Sequence, residues 1–186
     1  SVWALGLNLL VRWQRDGSEW QAFQDLREPL GRDAEGGIWF SSRDGSRTLR
    51  SHAGRWTSLD VAPEDLAADP TGGDWVHDGA RLIRWTAAGT ESHGAADLGL
   101  ARIQLLRVDR AGRPWVAGRG ADGGRPTAVV RVAGDWRRIL LSESPDASVR
   151  EARPDIDSGV WYMLKSPPGE PIVVHADEYG ARAVNL

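Results

Sequence analysis

The chain has 186 residues, no cysteine and a net charge of only −3 at pH 7. Without cysteine it can form neither a disulfide framework nor a thiolate metal site. Hydrophobic residues make up 41% and charged residues 26% of the sequence, which is typical of a globular domain and not of a disordered chain. No stretch approaches the roughly 20 apolar residues that cross a bilayer as a helix, so we expect no membrane insertion.

Arginine dominates the basic residues, because of the 23 in the chain only Lys165 is a lysine. Guanidinium groups can bind carboxylate or phosphate through two parallel hydrogen bonds. Here they are scattered among 26 acidic residues and form no basic run. The charge pattern therefore argues against nucleic acid as a partner.

Tryptophan recurs at nearly regular spacing, at positions 3, 39, 75, 115 and 161. A period of about 35 to 50 residues indicates a repeat architecture. In four copies an aspartate precedes the tryptophan by six residues, with a glycine between them, and the copy at position 3 begins too late to show one. The four copies are Asp33–Trp39, Asp69–Trp75, Asp109–Trp115 and Asp155–Trp161.

Each aspartate–glycine phrase predicts a tight turn followed by a strand. The carboxylate can accept hydrogen bonds from backbone N–H groups just downstream, and glycine adopts a left-handed conformation at little steric cost. Calcium binding is the alternative interpretation of these aspartates. With one carboxylate in each turn and no clustered partners, the hydrogen-bonded turn is favoured.

Three further apolar runs follow each tryptophan-containing strand. The first ends in a cation or a histidine, at Arg12, Arg50, Arg84, Arg131 and His175. The next is often opened by another tryptophan, and the last leads to the aspartate of the following repeat. Short alternating runs between turn residues predict strands throughout, and no segment of ten or more residues has sustained helical periodicity.

Four strands in each repeat predict an all-β protein, a β-propeller of about five four-stranded blades whose first blade lacks its inner strand. We expect a single propeller domain over residues 1–186, with repeats at about 1–24, 25–60, 61–99, 100–142 and 143–186. Two interpretations remain open, a five-bladed propeller with one trimmed blade or a segment of a larger propeller. In the second case an open strand edge would favour self-association.

The pattern Asp-x-x-Gly-x-x-Trp-Val, then Leu-x-Arg-Trp, then Gly-x-Trp-x-x-Leu resembles the two-component regulator propeller repeat. Segments 52–59 and 66–76 match it best. The resemblance implies a non-enzymatic binding module of bacterial sensor or extracellular proteins, with export to the periplasm or beyond. Tectonin-type lectin propellers and streptogramin lyases have similar blades, so a carbohydrate-binding lectin and a metal-dependent lyase are the alternatives. The fold by itself does not choose among these functions.

The connections that follow the tryptophan strands carry the candidate ligand-binding residues. Arg43, His77, Arg119 and Lys165 each follow their tryptophan by two to four residues. We expect them to form a mostly cationic ring at the channel mouth, where a small anion, a saccharide or a protein partner would bind. Trp13 and Trp85 come directly after a third-strand arginine, and we interpret them as a candidate aromatic platform for stacking on a sugar ring.

Catalysis finds little support in the sequence. None of its four histidines lies in a metal-binding or nucleophile motif, and no phosphate-binding loop occurs. Lyase chemistry would need a histidine and a carboxylate converging across the channel, and His77 is a geometric candidate for that role. We therefore expect no catalytic residue, no metal and no cofactor.

Overall fold

The structure is a computed structural model. It describes residues 2–6, 9–13, 20–23, 25–33, 35–60, 65–86, 88–167, 169 and 171–184, with the backbone alone described for the strands before residue 24 and for residue 28. Over these ranges the chain forms nineteen strands in five antiparallel sheets. They include no helix that is long and apolar enough to cross a membrane.

Each sheet is built from consecutive strands, and neighbouring strands in the chain pair with each other. Sheet 1 consists of β1 (Val2–Gly6), β2 (Leu9–Trp13) and β3 (Trp20–Phe23). Sheet 2 consists of β4 (Leu26–Arg32), β5 (Ile38–Ser42), β6 (Thr48–His52) and β7 (Arg55–Leu59). Sheet 3 consists of β8 (Asp65–Ala68), β9 (Asp74–His77), β10 (Arg81–Thr86) and β11 (Gly89–Gly94).

The last two sheets are the longest. Sheet 4 consists of β12 (Leu100–Val108), β13 (Pro114–Gly120), β14 (Pro126–Val132) and β15 (Asp135–Leu140). Sheet 5 consists of β16 (Ser148–Pro154), β17 (Val160–Lys165), β18 (Ile172–Asp177) and β19 (Gly180–Val184). The predicted all-β class, with four-stranded antiparallel blades and a first blade of three strands in the described part of the chain, is confirmed.

The chain divides into two compact units, Ser1–Pro63 with sheets 1 and 2 and Glu64–Leu186 with sheets 3, 4 and 5. The single domain expected from the sequence stays a prediction. In the first unit, Leu26 and Phe40 of sheet 2 are buried together, with Ile38 and Leu49 packed against them.

The core of the second unit lies between successive sheets. Trp75 of sheet 3 belongs to a buried cluster with Val116 and Val129 of sheet 4. Trp115 of sheet 4 belongs to a second cluster with Tyr162 of sheet 5. Because side chains alternate along a strand, Trp115 and its neighbour Val116 serve opposite interfaces. Trp75 and Trp115 are each only 1% exposed, as expected for blade-packing residues.

The aspartate turns are closed by hydrogen bonds, as the contacts of Asp109 illustrate. Its Oδ1 accepts the backbone N–H groups of Ala111 at 2.9 Å and Arg113 at 3.0 Å. Its Oδ2 accepts Nε of Arg113 at 2.8 Å and Nε1 of Trp115 at 3.0 Å. The carboxylate therefore joins the turn to the first residues of the strand that follows.

In three sheets the third strand contributes a cation or a histidine to the aspartate of its own turn. This contact ties the third strand to the turn that precedes the second. The pairs are Arg50 with Asp33, Arg84 with Asp69 at 2.9 Å and His175 with Asp155 at 2.8 Å.

Arg131, the equivalent residue in sheet 4, has a different partner. Its Nη1 and Nη2 donate to the two carboxylate oxygens of Glu91 in sheet 3, at 2.9 and 2.8 Å. The guanidinium lies 5.7 Å from the ring centre of Trp136 and 5.9 Å from that of Trp75. Arg131 thus ties sheet 4 to sheet 3, and the aspartate of its own turn is bound by Arg113 instead.

Replacing Glu91 by glutamine is expected to lower the free energy of unfolding by about 1 kcal/mol at pH 7, the upper end for a partly exposed ion pair. The hydrogen bond from Arg131 lowers the pKa of Glu91 in the folded state. The stabilisation is therefore complete above the unfolded pKa of about 4.3 and is lost as pH falls through the folded value. Urea unfolding of both proteins along a pH series measures this, with Glu143→Gln as an exposed control; a difference that grew on acidification would contradict it.

Candidate functional site

Candidate ligand-binding side chains collect at one end of the sheets of the second unit, which we call the loop end. It carries the connections between second and third strands, at residues 78–80, 121–125 and the described part of 166–171, and those between sheets, at 95–99 and 141–147. The aspartate turns lie at the opposite end, because adjacent strands are antiparallel. The loop end has turn hydrogen bonds of its own, such as those that Oδ1 of Asp78 accepts from the backbone N–H groups of Ala80 at 3.0 Å and Arg81 at 2.7 Å.

Two arginines of sheet 4 connect this loop end to the neighbouring sheets. Arg102 and Arg119 are cross-strand partners on β12 and β13. A Cβ atom at Gly79, whose φ is +85°, would lie 2.9 Å from Nε of Arg102, so that guanidinium lies directly against the sheet 3 connection. Nη1 of Arg119 donates to the carbonyl oxygen of Pro145, at 3.0 Å, in the connection to sheet 5. From one strand pair, Arg102 therefore extends toward sheet 3 and Arg119 toward sheet 5.

A cavity of about 250 Å³ opens at the loop end of sheet 4. Its lining residues are Asp122, Arg125, Thr127, Arg138 and Leu140. Thr127 is buried, and its hydroxyl donates to the carbonyl oxygen of Arg125 at 3.1 Å, which anchors the backbone beneath that guanidinium. Arg138 is positioned by close packing, because a Cβ atom at Gly99 would lie 2.8 Å from its Nε.

Both arginines of the cavity are engaged in exposed ion pairs. Arg138 donates to Asp122 at 2.9 Å and Arg125 to Glu143 at 2.8 Å. The hydrogen bond from Arg138 lowers the pKa of Asp122, so this carboxyl is ionised at neutral pH. The acidic side chains are 68% and 82% exposed, and solvent screens exposed pairs of this kind so that they stabilise little. An anionic group from a ligand can therefore replace either carboxylate at little cost.

The residues predicted to form a channel-mouth ring are placed as follows. Arg119 and Lys165 are exposed at the loop end of the second unit. His77 ends β9 at the same end, but it is fully buried, and its Nδ1 accepts the N–H of Gly79 at 3.2 Å. Arg43 is exposed in the first unit. The structure brings the second-unit residues to one end, and the ring itself stays a prediction.

The predicted aromatic platform has one member in the described part of the chain. Trp85 lies on β10, half-buried, opposite Asp74 on one side and Thr90 on the other. The side chain of Trp13 falls outside the described residues. The platform stays a prediction.

Sequence reasoning did not single out Arg102, Arg125 or Arg138. The available signal for Arg125 was the glycine-rich run at 118–124, which predicts a hairpin connection and hence exposed neighbours. Arg102 had no signal, since it lies inside a strand. No group of three or more histidine, aspartate or glutamate side chains, within the ranges that the structure covers, is arranged to hold a metal ion.

No family model and no curated protein matches the sequence. Solved structures do resemble the chain. Virginiamycin B lyase from Staphylococcus aureus is 13% identical with a TM-score of 0.58, over 89% of this chain and 62% of the lyase. A catalytically inactive variant of that lyase with Quinupristin is 12% identical with a TM-score of 0.55, over 94% and 72%. YCF48 bound to D1 peptide is 13% identical with a TM-score of 0.59, over 94% and 60%.

At these identities the likeness shows the fold alone, and the predicted β-propeller is confirmed. The chain spans less than two thirds of the length of the first lyase structure and of YCF48. The two-component regulator repeat family named from the sequence stays a resemblance. A lyase and a peptide-binding protein both occur among the neighbours, so the shared fold is compatible with different functions.

Proposed function

We propose that this chain is a non-enzymatic binding module that recognises an acidic segment of a protein partner at the loop end of its second unit. The observation that carries the proposal is the cavity in which Arg125 and Arg138 are held by carboxylates that a ligand can replace. A carboxylate of the partner would take the place of Asp122 or Glu143 and accept two hydrogen bonds from one guanidinium.

Several features favour a peptide over a small metabolite. The cavity is open and polar and lies among connections on a rigid set of sheets, the arrangement in which binding residues are commonly found. Arg119 is already held by two backbone carbonyl groups, those of Gly124 and Pro145, so this part of the site is ordered before a ligand arrives. YCF48, a structural neighbour, is bound to a peptide, which supports a protein partner in general terms.

The resemblance to sensor-type repeats supports an exported bacterial module, and we include that location in the proposal. The lectin and lyase alternatives each have a distinct outcome. Binding of neutral saccharides with no preference for acidic peptides would favour the lectin. Loss of a substrate that depends on a divalent metal would favour the lyase.

Alanine at both Arg125 and Arg138 is expected to weaken binding of a glutamate-rich peptide at least about tenfold, because two charge-assisted contacts are removed. Isothermal titration calorimetry of the full chain measures the affinity. Arg137→Ala combined with Arg110→Ala is the matched control, because it removes the same two charges from exposed positions outside the cavity. An equal loss in the control would show a general effect of charge and contradict the site.

A further inference from the structure

Sheet 5 has one apolar face that is partly open to solvent. Val160, Tyr162 and Leu164 of β17 point into the core shared with sheet 4, so Trp161 and Met163 between them point the opposite way. Met163 is 41% exposed. We call this surface the Trp161 face, and it consists of Trp161, Met163, Val173, Glu151 and Arg153, which surround a cavity of about 120 Å³.

The same position in the two preceding sheets is a sheet-to-sheet interface. Trp75 and Trp115 correspond to Trp161 in the repeat, and each is covered by the sheet that follows it in the chain. Trp161 itself is only half-buried. The Trp161 face therefore has the composition of an interface between packed sheets, and covering it would remove apolar area from water.

The charged groups on this face indicate what covers it. Between sheets 3 and 4, Nη1 of Arg107 donates to Oδ2 of Asp65 at 2.6 Å. Asp65 lies four residues before its turn aspartate and Arg107 two residues before its own, so across this interface an acid of the earlier sheet pairs with an arginine of the later sheet. On β16 the same two positions are Glu151 and Arg153, and both border the Trp161 face.

A surface that carries both members of an ion pair is complementary to itself under a two-fold axis. Within one chain, Nε of Arg153 donates to Oε1 of Glu151 at 2.7 Å, and both side chains are exposed. An exposed pair of this kind is weak and can be exchanged for one with another molecule. A second copy turned through two-fold symmetry would place its arginine on Glu151 and its glutamate on Arg153.

We infer that the Trp161 face is a self-association surface, and that its occupant is the same face of a second copy of this chain. Met163 and Val173 form the apolar centre of the contact, and two reciprocal Glu151–Arg153 pairs lie beside it. The inference goes beyond the proposed function, because the residues of this face are separate from those of the arginine cavity. One dimer would therefore carry two peptide-binding sites.

Light scattering behind a sizing column, from low to high micromolar concentration, tests this inference. The chain has a mass of 20.3 kDa, and we expect it to approach twice that value as concentration rises. Met163→Glu is expected to keep the chain monomeric. Ile156→Glu is the control, since Ile156 is 65% exposed in the turn of the same sheet, and it should leave the dimer intact. A monomer at all concentrations, or a dimer that Met163→Glu leaves unchanged, would overturn the inference.

A charge exchange tests the pairing without placing a charge in the apolar centre. Glu151→Arg and Arg153→Glu should each weaken dimerisation several-fold, because each sets like charges against each other, and the double variant should restore it. Both positions are exposed, and near-ultraviolet circular dichroism verifies that the variants are folded. Failure of the double variant to restore the dimer would rule out the two-fold arrangement. Binding of the glutamate-rich peptide is measured separately, so either proposal can fail while the other stands.

Discussion

Replacing Trp115 by alanine is expected to lower the free energy of unfolding of the second unit by about 4 kcal/mol. The side chain is 1% exposed and lies in the cluster between sheets 4 and 5. Its removal leaves a cavity between the sheets and deprives the buried carboxylate of Asp109 of one of its four donors. Urea unfolding followed by far-ultraviolet circular dichroism measures the loss without depending on the tryptophan that was removed.

Trp161→Ala is the matched comparison, because Trp161 occupies the same position of the repeat but is only half-buried. Its cost should be less than half that of Trp115→Ala when both are measured at a concentration where the chain is monomeric. Equal costs would mean that burial against a following sheet is not what makes the repeated tryptophan stabilising.

The aspartate turn and its contact with the tryptophan could be predicted because they involve residues that are close together in the sequence. Asp109 and Trp115 are six residues apart. The four hydrogen bonds that the carboxylate accepts all come from donors within residues 109–115. Local hydrogen bonding follows from residue type and spacing alone. The repetition of the segment then indicated the number of sheets and the strand order within each.

The partner of Arg131 could not be predicted in the same way. Its position in the repeat matches that of Arg84, which binds the aspartate of its own turn. In sheet 4, however, Arg113 lies only four residues after Asp109, and its Nε donates to that carboxylate at 2.8 Å. Arg131 then binds Glu91, which is 40 residues away in the chain, and such a contact depends on how two sheets pack.

The arginines of the loop end show why the sequence predicted only part of the candidate site. The register of β12 and β13 shifts between Leu100 and Arg102 and again between Ile103 and Leu105. An extra residue in one strand changes which face the following side chains occupy, so strict alternation cannot place Arg102 opposite Arg119. His77, expected at the channel mouth, is the last residue of β9 and is fully buried, and the pattern of residues around it gave no sign of that burial.

Replacing Asp109 by asparagine is expected to destabilise the second unit by about 3 kcal/mol, the lower end for breaking a buried charge pair. One carboxylate oxygen accepts two backbone N–H groups, and the other accepts Arg113 and Trp115. An asparagine amide has a single oxygen, so in either orientation its NH2 group faces two donors. Urea unfolding at pH 7 measures the cost. Asp155→Asn is the comparison, and it should cost less because the Asp155 side chain is more exposed and its ion-pair partner is a histidine.

The double variant Asp109→Asn with Trp115→Ala shows whether turn and tryptophan act as one unit. We expect its cost to fall short of the sum of the two single costs by about 1 kcal/mol, because Trp115→Ala already removes one donor of the Asp109 carboxylate and so part of what Asp109→Asn would cost. Additive costs would mean that this bond contributes nothing to stability. Since the turn lies at the end opposite the arginine cavity, folded Asp109→Asn protein should bind the glutamate-rich peptide as tightly as the unchanged chain. Weaker binding by folded protein would show that the aspartate turns also determine the geometry of the loop end.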